Sequence, residues 1–415
     1  MKGPIETVAI LGAGPAACTL AIHLARGGIR VALLHRRRSV PLLVGESLVP
    51  AIIVILRRLG VEDEVRSYGK YKPGAIFDMN EFGGFPFTFR DFSAPLPDYA
   101  YNVPRIQFEA TLVGAAQRAG ARVIETEAKV ERVAGMDRVQ LSAETLAACG
   151  DIFSGQPDLI VDATGRARVV PRLLDIPSRA GGRTDTALFA HLDKTEFYKD
   201  GYVHSSRLDH GWSWRIPLQD RMSLGIVIPS EHLTDRGTTP EERYDNLLKH
   251  DSVLRAVTAG AKRLTPVMEY ANYQLVSTRL IGDGWALVGD TAGFVDPVFS
   301  SGLLIGLTSA EELAEAIRTG TIAAFQEYER SVIHHLKTWH EIVSYFYDGR
   351  MFTAFRVGEM MRKNFLIRLG YPHINKHMGR IFSGAAAKAP YSMGMMRFLM
   401  KYGMKNEDPK DMAIR

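Results

Sequence analysis

Six residues near the start carry the clearest chemistry. Gly12-Ala13-Gly14-Pro15-Ala16-Ala17 fits the pattern Gly-x-Gly-x-x-Gly/Ala. Gly12 permits a tight turn, Gly14 lets the backbone approach a ligand closely, and Ala17 is small enough for a helix to pack on a strand. The N–H groups at the start of such a helix, with its dipole, favour an anion, so the expected ligand is a dinucleotide pyrophosphate. The surrounding elements fit this role. Thr7–Leu11 reads as a buried strand, Ala17, Leu20, Ala21 and Leu24 recur at helical spacing, Gly27-Gly28 stops the helix, and Arg30–Leu34 reads as a second strand. A βαβ unit is thus complete within the first 35 residues. The acidic residue usual at the end of its second strand is replaced by His35, followed by Arg36, Arg37 and Arg38. These basic residues either contact the dinucleotide or form an exposed loop, and the missing carboxylate predicts a dinucleotide held more loosely.

Further reactive side chains lie at predicted element ends. Asp290 precedes Thr291-Ala292-Gly293 at a strand end, where a carboxylate can accept hydrogen bonds from hydroxyls. Ser301-Gly302 opens a helix and offers backbone N–H groups to a weakly basic anion. Lys72, beside Tyr71, reads by itself as an exposed loop lysine. Inside an apolar tunnel its pKa would fall. Trp212 and Trp214 read first as core packing in a sheet.

The elements that position these residues are legible in outline. Helices fit Pro50–Leu59 and Ile106–Ala119, and strands fit Arg122–Glu125 and Leu159–Val161. Residues 180–230 carry short alternating runs such as Met222–Ile228, the mark of an antiparallel sheet. From Leu303 to about Arg350 the chain reads as helical, with Val332, Leu336, Trp339, Val343 and Phe346 forming one stripe. The last stretch is rich in Met and Arg. The 415 residues, 46% hydrophobic and 23% charged, suffice for two interleaved domains. No apolar run approaches the roughly 18–20 residues that span a membrane. The start shows no secretory signal pattern, and the two cysteines, Cys18 and Cys149, make neither a disulfide framework nor a metal cluster. A cytoplasmic setting and no metal are expected. The net charge of +5 is mild. It suits an anionic ligand or acidic protein partner, and nucleic acid is not an expected partner.

Three more segments separate FAD from NAD(P). Asp162-Ala163-Thr164-Gly165-Arg166, Gly284-Trp285-Ala286-Leu287-Val288-Gly289-Asp290 and Val103-Pro104-Arg105-Ile106-Gln107-Phe108-Glu109 follow the first motif. Together they resemble the flavoprotein monooxygenase superfamily with the para-hydroxybenzoate-hydroxylase-like fold. That resemblance implies an α/β fold: a Rossmann-like FAD-binding domain interleaved with an antiparallel β-sheet substrate region, plus a helical C-terminal tail. It implies that Asp290 contacts the flavin ribityl or ribose and that Arg105 lies near the cofactor. Gly12, Ala13, Gly14, Ala16, Ala17, His35, Arg36, Glu46, Ser47, Val130, Gly302 and Leu303 complete the expected FAD contacts.

A closer resemblance rests on Gly45-Glu46-Ser47-Leu48-Val49-Pro50, Trp212-Ser213-Trp214-Arg215-Ile216-Pro217, Phe294-Val295-Asp296-Pro297-Val298-Phe299-Ser300-Ser301-Gly302 and Lys72-Pro73-Gly74-Ala75. These resemble segments of flavin-dependent halogenases, particularly the short ones acting on phenols or on carrier-tethered pyrroles. The resemblance implies that reduced flavin and O2 oxidise halide to hypohalous acid, which reaches a lysine near the substrate. Lys72 takes that catalytic role, with Lys70 as its rival. Ser301 and Gly302 are the halide-binding candidates, and Trp212, Trp214, Pro297 and Phe299 the substrate and tunnel walls. The family's Trp-Gly after the lysine is here Met79-Asn80, and the glutamate of tryptophan halogenases has no counterpart, which argues against free tryptophan as substrate.

The expected division is an FAD-binding domain over residues 1–350, interleaved with a substrate region at about 75–105 and 175–275. A helical region over 351–415 would cover the substrate entrance. Its Met351, Met360, Met361, Met378, Met393, Met395, Met396 and Met400 suit an adaptable cover. Arg356, Arg362, Lys363, Arg368 and Arg397 suit a positive rim for an acidic carrier protein. The expected partners are a small aromatic substrate, free or on such a carrier, and a separate flavin reductase. An aromatic hydroxylase or epoxidase, a geranylgeranyl-reductase-like enzyme, and a non-catalytic flavin-binding protein remain the alternatives.

Overall fold

All five residues of Thr7–Leu11 are buried, so this strand needs neighbours at both edges and cover on both faces. It pairs in parallel with Arg30–His35 on one side and Leu159–Asp162 on the other. Arg122–Glu125 and Trp285–Leu287 extend the sheet in parallel, and Ile281–Gly282 closes one edge antiparallel. The computed structural model describes residues 4–36, 42–92, 95–193, 200–271, 274–361, 365–404 and 407–414. Arg37, Arg38, Arg362 and Lys363 lie outside these, as does the side chain of Arg368.

The helix Pro15–Arg26 starts with Pro at its first turn and gives way at Gly27. Gly306 on the helix Ser301–Thr319 and Gly289 lie against Ala16, so small residues let the two helices and the strand end approach closely. The expected helix and strand positions hold within a residue or two: Pro50–Leu59, Arg105–Arg118, Arg122–Glu125 and Leu159–Asp162 are observed. The long helical stretch does not run unbroken. Ser301–Thr319 ends at Gly320 in the left-handed region (φ 68°), and Ile322–Tyr347 restarts with Thr321 accepting from the N–H of Ala324.

The second sheet has seven strands in the order 268–271, 185–192, 222–229, 212–217, 203–207, 74–78, 84–88. It departs from the all-antiparallel expectation at one place: Val203–Arg207 pairs in parallel with Gly74–Asp78. Alternation sorts its faces. Phe189, Trp212, Trp214, Ile216 and Val227 join the main core, which includes the six-stranded, mostly parallel sheet. Leu188, Ala190, Leu224 and Ile226 turn outward to a second core, covered by Tyr244, Leu247 and Leu254.

The last stretch forms the helices Arg350–Met361, Phe365–Arg380 and Pro390–Tyr402. Met351, Phe352, Met378, Phe382, Met393, Met396 and Met400 are buried in the main core, whereas Met360 is exposed. Arg356 pairs with Glu407, and Arg397 grips both oxygens of Glu341, so these two charges face internal carboxylates. Among the described residues, no helix is long and apolar enough to cross a membrane.

Candidate active site

The dinucleotide cradle is built where four sequence motifs meet. Gly12 adopts φ 106°, and a Cβ there would come within 2.6 Å of the Ala163 carbonyl oxygen. Gly14 differs: no atom lies within 4 Å of where its Cβ would be, and its φ of −71° is unstrained. Gly14 therefore leaves space that a ligand can occupy, in front of a helix end that carries no side-chain cap. Ala13 and Ala16 are half-buried at this opening, and Ala17 is fully buried against the core. Asp162 fixes the adjoining turn. It accepts from the N–H and hydroxyl of Thr164 and the N–H of Val170, while the Thr291 hydroxyl accepts from Gly165 N–H.

Asp290 presents an exposed surface yet sits deep among protein atoms, as a residue on a cleft wall does. That setting pushes its carboxyl up to about 6, against the pull of Arg105 and Arg166. Arg105 donates to the carbonyls of Val44 and Gly45 and pairs with Glu109. Its guanidinium fills the place of a Gly45 side chain, which explains glycine there with φ 92°. His35 is half-buried at its strand end, and Arg36 is exposed beside Glu127. Val130 stands apart from these motifs in sequence, on a two-stranded ribbon, paired with Leu141. Cys18 is buried inside the first helix, its thiol pushed far up by desolvation.

Lys72 is a strand residue rather than an exposed loop lysine, and it is buried. Its Nζ donates to Ser47 Oγ at 2.7 Å and to the Leu48 carbonyl at 2.8 Å, and lies 5.3 Å from the centre of the Phe89 ring. Burial brings its pKa down to about 7. Lys70 points instead to Asp200, at 2.9 Å. The Gly-Glu-Ser-Leu segment is held over the lysine by the strand Ala100–Asn102, through Leu48 N–H to Tyr101 O and Val103 N–H to Glu46 O. Glu46 is buried and its Oε1 lies 2.9 Å from His191 Nε2.

Pro297–Phe299 forms a single turn that leads into the helix Ser301–Thr319. Asp296 starts it. Its Oδ1 accepts from Val298 N–H, and its Oδ2 accepts from the Tyr347 hydroxyl at 3.0 Å and the Gln274 amide at 3.1 Å. Burial pushes this carboxyl up to about 7. Tyr347 also accepts from Trp212 Nε1 at 2.9 Å, so the turn and the tryptophan wall share one network. Arg183 stacks on the Tyr347 ring at 4.1 Å while gripping Asp185.

Ser301 is buried at the uncapped helix end, and its Oγ has no hydrogen-bond partner. Gly302 is required by Phe294, whose ring would lie 2.6 Å from a Cβ, and Leu303 is half-buried beside it. Pro297 is half-buried and Phe299 buried. Trp214 lies flat over Gly225, where a Cβ would fall 2.0 Å from its ring.

The open ground at Gly14, the uncapped ends of two helices, the orphan Ser301 hydroxyl and the cleft carboxylate of Asp290 fit a flavin dinucleotide. Of the residues expected for this site, the glycine-motif residues, Asp290 and Arg105 lie at the cradle, Lys72 lies on a two-stranded ribbon beside the Gly-Glu-Ser-Leu segment, and Pro297, Phe299, Ser301 and Gly302 lie at one turn and helix start, whereas Val130 sits on a separate ribbon and Arg36 is exposed. Sequence reasoning missed His191, Tyr347, Gln274 and Arg183. Asp296 was visible as an acidic residue within an apolar motif, but its partners were not.

Comparison with known proteins places the chain in a family. The family model described as tryptophan halogenase matches residues 7–94 and 91–355. The chain is 27% identical to a 1H-pyrrole-2-carbonyl-[peptidyl-carrier protein] chlorinase of Pseudomonas fluorescens, over 84% of this chain and 85% of the relative. It is 29% identical to a tryptophan 2-halogenase of Chondromyces crocatus, over 84% of this chain and 69% of that protein. Among solved structures, the FAD-dependent myxobacterial chondrochloren halogenase CndH shares 28% identity and a TM-score of 0.74, covering 83% of each chain. The flavin-dependent brominase Bmp2, at 21% identity, has the same fold with a TM-score of 0.78, covering 97% of this chain and all of that one. The chain belongs to the tryptophan halogenase family of flavin-dependent halogenases, and FAD is its cofactor.

Proposed function

We propose that this enzyme halogenates an electron-rich aromatic ring, phenolic or pyrrolic, and that the ring is presented on an acidic carrier protein or as a free small molecule. The observation that carries the reading is Lys72: a buried amine near pKa 7, fixed by two acceptors and facing the Phe89 ring. Bound FAD, reduced by a separate flavin reductase, supplies the activation of O2 that oxidises halide.

The chain's own groups do the rest. The N–H groups at the Ser301 helix end hold the halide anion, with the Ser301 hydroxyl beside them. Lys72 Nζ, balanced between amine and ammonium near neutral pH, either takes the halogen from hypohalous acid, the departing hydroxide leaving with the amine proton as water, or as ammonium donates a proton to that acid. Ser47 and Leu48 keep that amine in place. Trp212, Trp214 and Phe299 form an apolar wall that excludes water. The pyrrolyl chlorinase relative supports carrier delivery. Both cysteines are free and buried, which suits a reducing cytoplasm.

The test uses purified enzyme, FAD, a flavin reductase, NADPH, O2 and chloride or bromide, with a panel of phenols and carrier-bound pyrroles. The expected result is a halide-dependent product bearing the halogen, with NADPH alone leaving the flavin oxidised. A hydroxylated product formed without halide overturns the reading.

A further inference from the structure

The helix Pro390–Tyr402 has two unlike faces. Met393, Met396 and Met400 on one side are buried in the main core. On the other side Tyr391, Phe398 and Tyr402 are 62%, 61% and 58% exposed, with half-buried Met395 between them. Their spacing of four, three and four residues puts the four side chains in one row along the helix. Gly394 is exposed beside the row, and no atom lies within 4 Å of where its Cβ would be, so the ridge has open ground next to it. Single exposed apolar residues are ordinary, whereas a contiguous row of them marks a contact surface.

The row is held in position before anything binds. Tyr391 Oη lies 3.1 Å from His373 Nε2, and its ring lies 4.8 Å from that of His377, which is itself fixed by Ser392 Oγ at 2.8 Å. Phe398 and Tyr402 pack with centroids 5.1 Å apart, and Lys401 Nζ lies 5.0 Å from the centre of the Tyr402 ring. Side chains already ordered lose little freedom on binding, and Tyr, Phe and Met are enriched where proteins dock.

Charge selects the partner. From Met360 to Asn406 the chain has nine lysines and arginines and no aspartate or glutamate. Arg397 is committed inside the molecule, to Glu341. Lys376, three residues on from His373 along its helix, and Lys401 are exposed and make no ion pair among the described residues. Lys388, just ahead of the ridge, is exposed and reaches Glu312 only at 3.8 Å. A second copy of this chain would set positive against positive. A lipid surface takes up a broad apolar face, whereas two of the three exposed rings here end in hydroxyls. A protein face bearing aspartates and glutamates answers both the lysines and the hydroxyls.

The ridge belongs to the helical layer next to the reactive amine. The neighbouring helix Phe365–Arg380 packs on the short helix Phe89–Phe92, and Phe89 faces Lys72 Nζ at 5.3 Å. We propose that Tyr391, Met395, Phe398 and Tyr402, with Lys376, Lys388 and Lys401 about them, dock the acidic carrier protein that presents the ring. This rests on the halogenation proposed above and narrows it to a tethered substrate.

The test compares a pyrrole-2-carbonyl group on an acidic carrier protein with the same ring as a free small molecule. The enzyme is loaded with FAD and supplied with flavin reductase, NADPH, O2 and halide. Phe398→Ser with Tyr402→Ser removes the carbon of the ridge, and Lys376→Glu with Lys401→Glu reverses its charge. Each pair is expected to raise KM for the carrier-bound ring by about tenfold while kcat, FAD content and halogenation of a soluble hypohalite trap stay at wild-type levels. Phe398→Leu with Tyr402→Phe is expected to keep most of the affinity. Added salt is expected to raise the wild-type KM and to leave that of the lysine pair nearly flat. An unchanged KM in both pairs overturns the docking surface alone, as does a wild type that halogenates the free ring as efficiently as the tethered one. Co-flotation of the wild type with vesicles of anionic lipid, abolished in both pairs while KM for the carrier stays unchanged, overturns it in favour of a membrane. A wild type that halogenates neither the trap nor any ring overturns the activity and the docking surface together.

Discussion

The two ends of the candidate site, the short strand with Lys72 and the turn that starts at Asp296, hold buried ionisable groups brought to the same place on the pH scale from opposite directions. Burial lowers Lys72 to about 7 and raises Asp296 to about 7. Their surroundings differ in what they leave over. A neutral amine has two N–H groups, and Ser47 Oγ and the Leu48 carbonyl accept both, so its lone pair stays available. Asp296 receives three donors on its two oxygens, from a turn, a helix and a neighbouring loop. One network keeps a lone pair free for chemistry; the other commits three of about four acceptor sites to holding the Pro297–Phe299 turn, the Tyr347 helix end and the Gln274 loop together. A perturbed pKa by itself does not separate these roles, whereas the count of satisfied bonds does.

Substitutions at the two ends test this contrast most sharply. Lys72→Ala is expected to lower halogenated product by about 100-fold or more while O2 consumption persists. Product at the wild-type level in single-turnover assays would dissolve the distinction. Asp296→Ala is expected to act on stability: it strands the Tyr347 hydroxyl, the Gln274 amide and the Val298 N–H, at a cost of about 1–3 kcal/mol in denaturant unfolding. A large loss of product per bound FAD with unchanged stability would give Asp296 a chemical role instead.

The pH dependence of unfolding separates the two ends again, by sign. Asp296 has its folded pKa above its unfolded value of 3.8, so the folded state binds more protons between them. Its stabilising contribution is complete below about 3.8 and is lost as pH rises toward 7. Lys72 has its folded pKa below 10.5, so the unfolded state binds more protons between about 7 and 10.5, and stability rises with pH there. Relative to wild type, Asp296→Ala is expected to be most damaging below about pH 3.8, with the damage shrinking as pH rises toward 7, and Lys72→Met most stabilising below pH 7. Parallel profiles would remove the electrostatic basis of the comparison. The smallest effect is expected from Tyr347→Phe, about 1 kcal/mol, with a shifted Trp212 emission because the indole N–H loses its acceptor.

The first βαβ unit was legible because buried parallel strands are continuous apolar runs and glycine marks their turns. The break at Gly320-Thr321 was missed: a glycine followed by a threonine can end one helix and cap the next, but the helical reading from Leu303 to about Arg350 ran through both. The pairing of Glu46 with His191 spans 145 residues, and no local pattern announces it. Lys72 was placed by its motif, while its burial followed from the strand Ala100–Asn102 folding back beside it. The buried methionines of the last stretch suited an adaptable cover, but their spacing did not reveal that they enter the main core.

The contact between Trp214 and Gly225 bears on how the pocket can be remodelled. The indole rests on bare backbone, so any side chain at position 225 needs a smaller residue at 214. Conversely, trimming Trp214 alone would open a slot over Gly225 flanked by the rings of Phe189 and Trp212, above peptide groups already paired in the sheet. Such a slot stays apolar and suits added hydrocarbon. Filling it from position 225 instead would move the wall, and related enzymes with different ring preferences should show the two positions changing together.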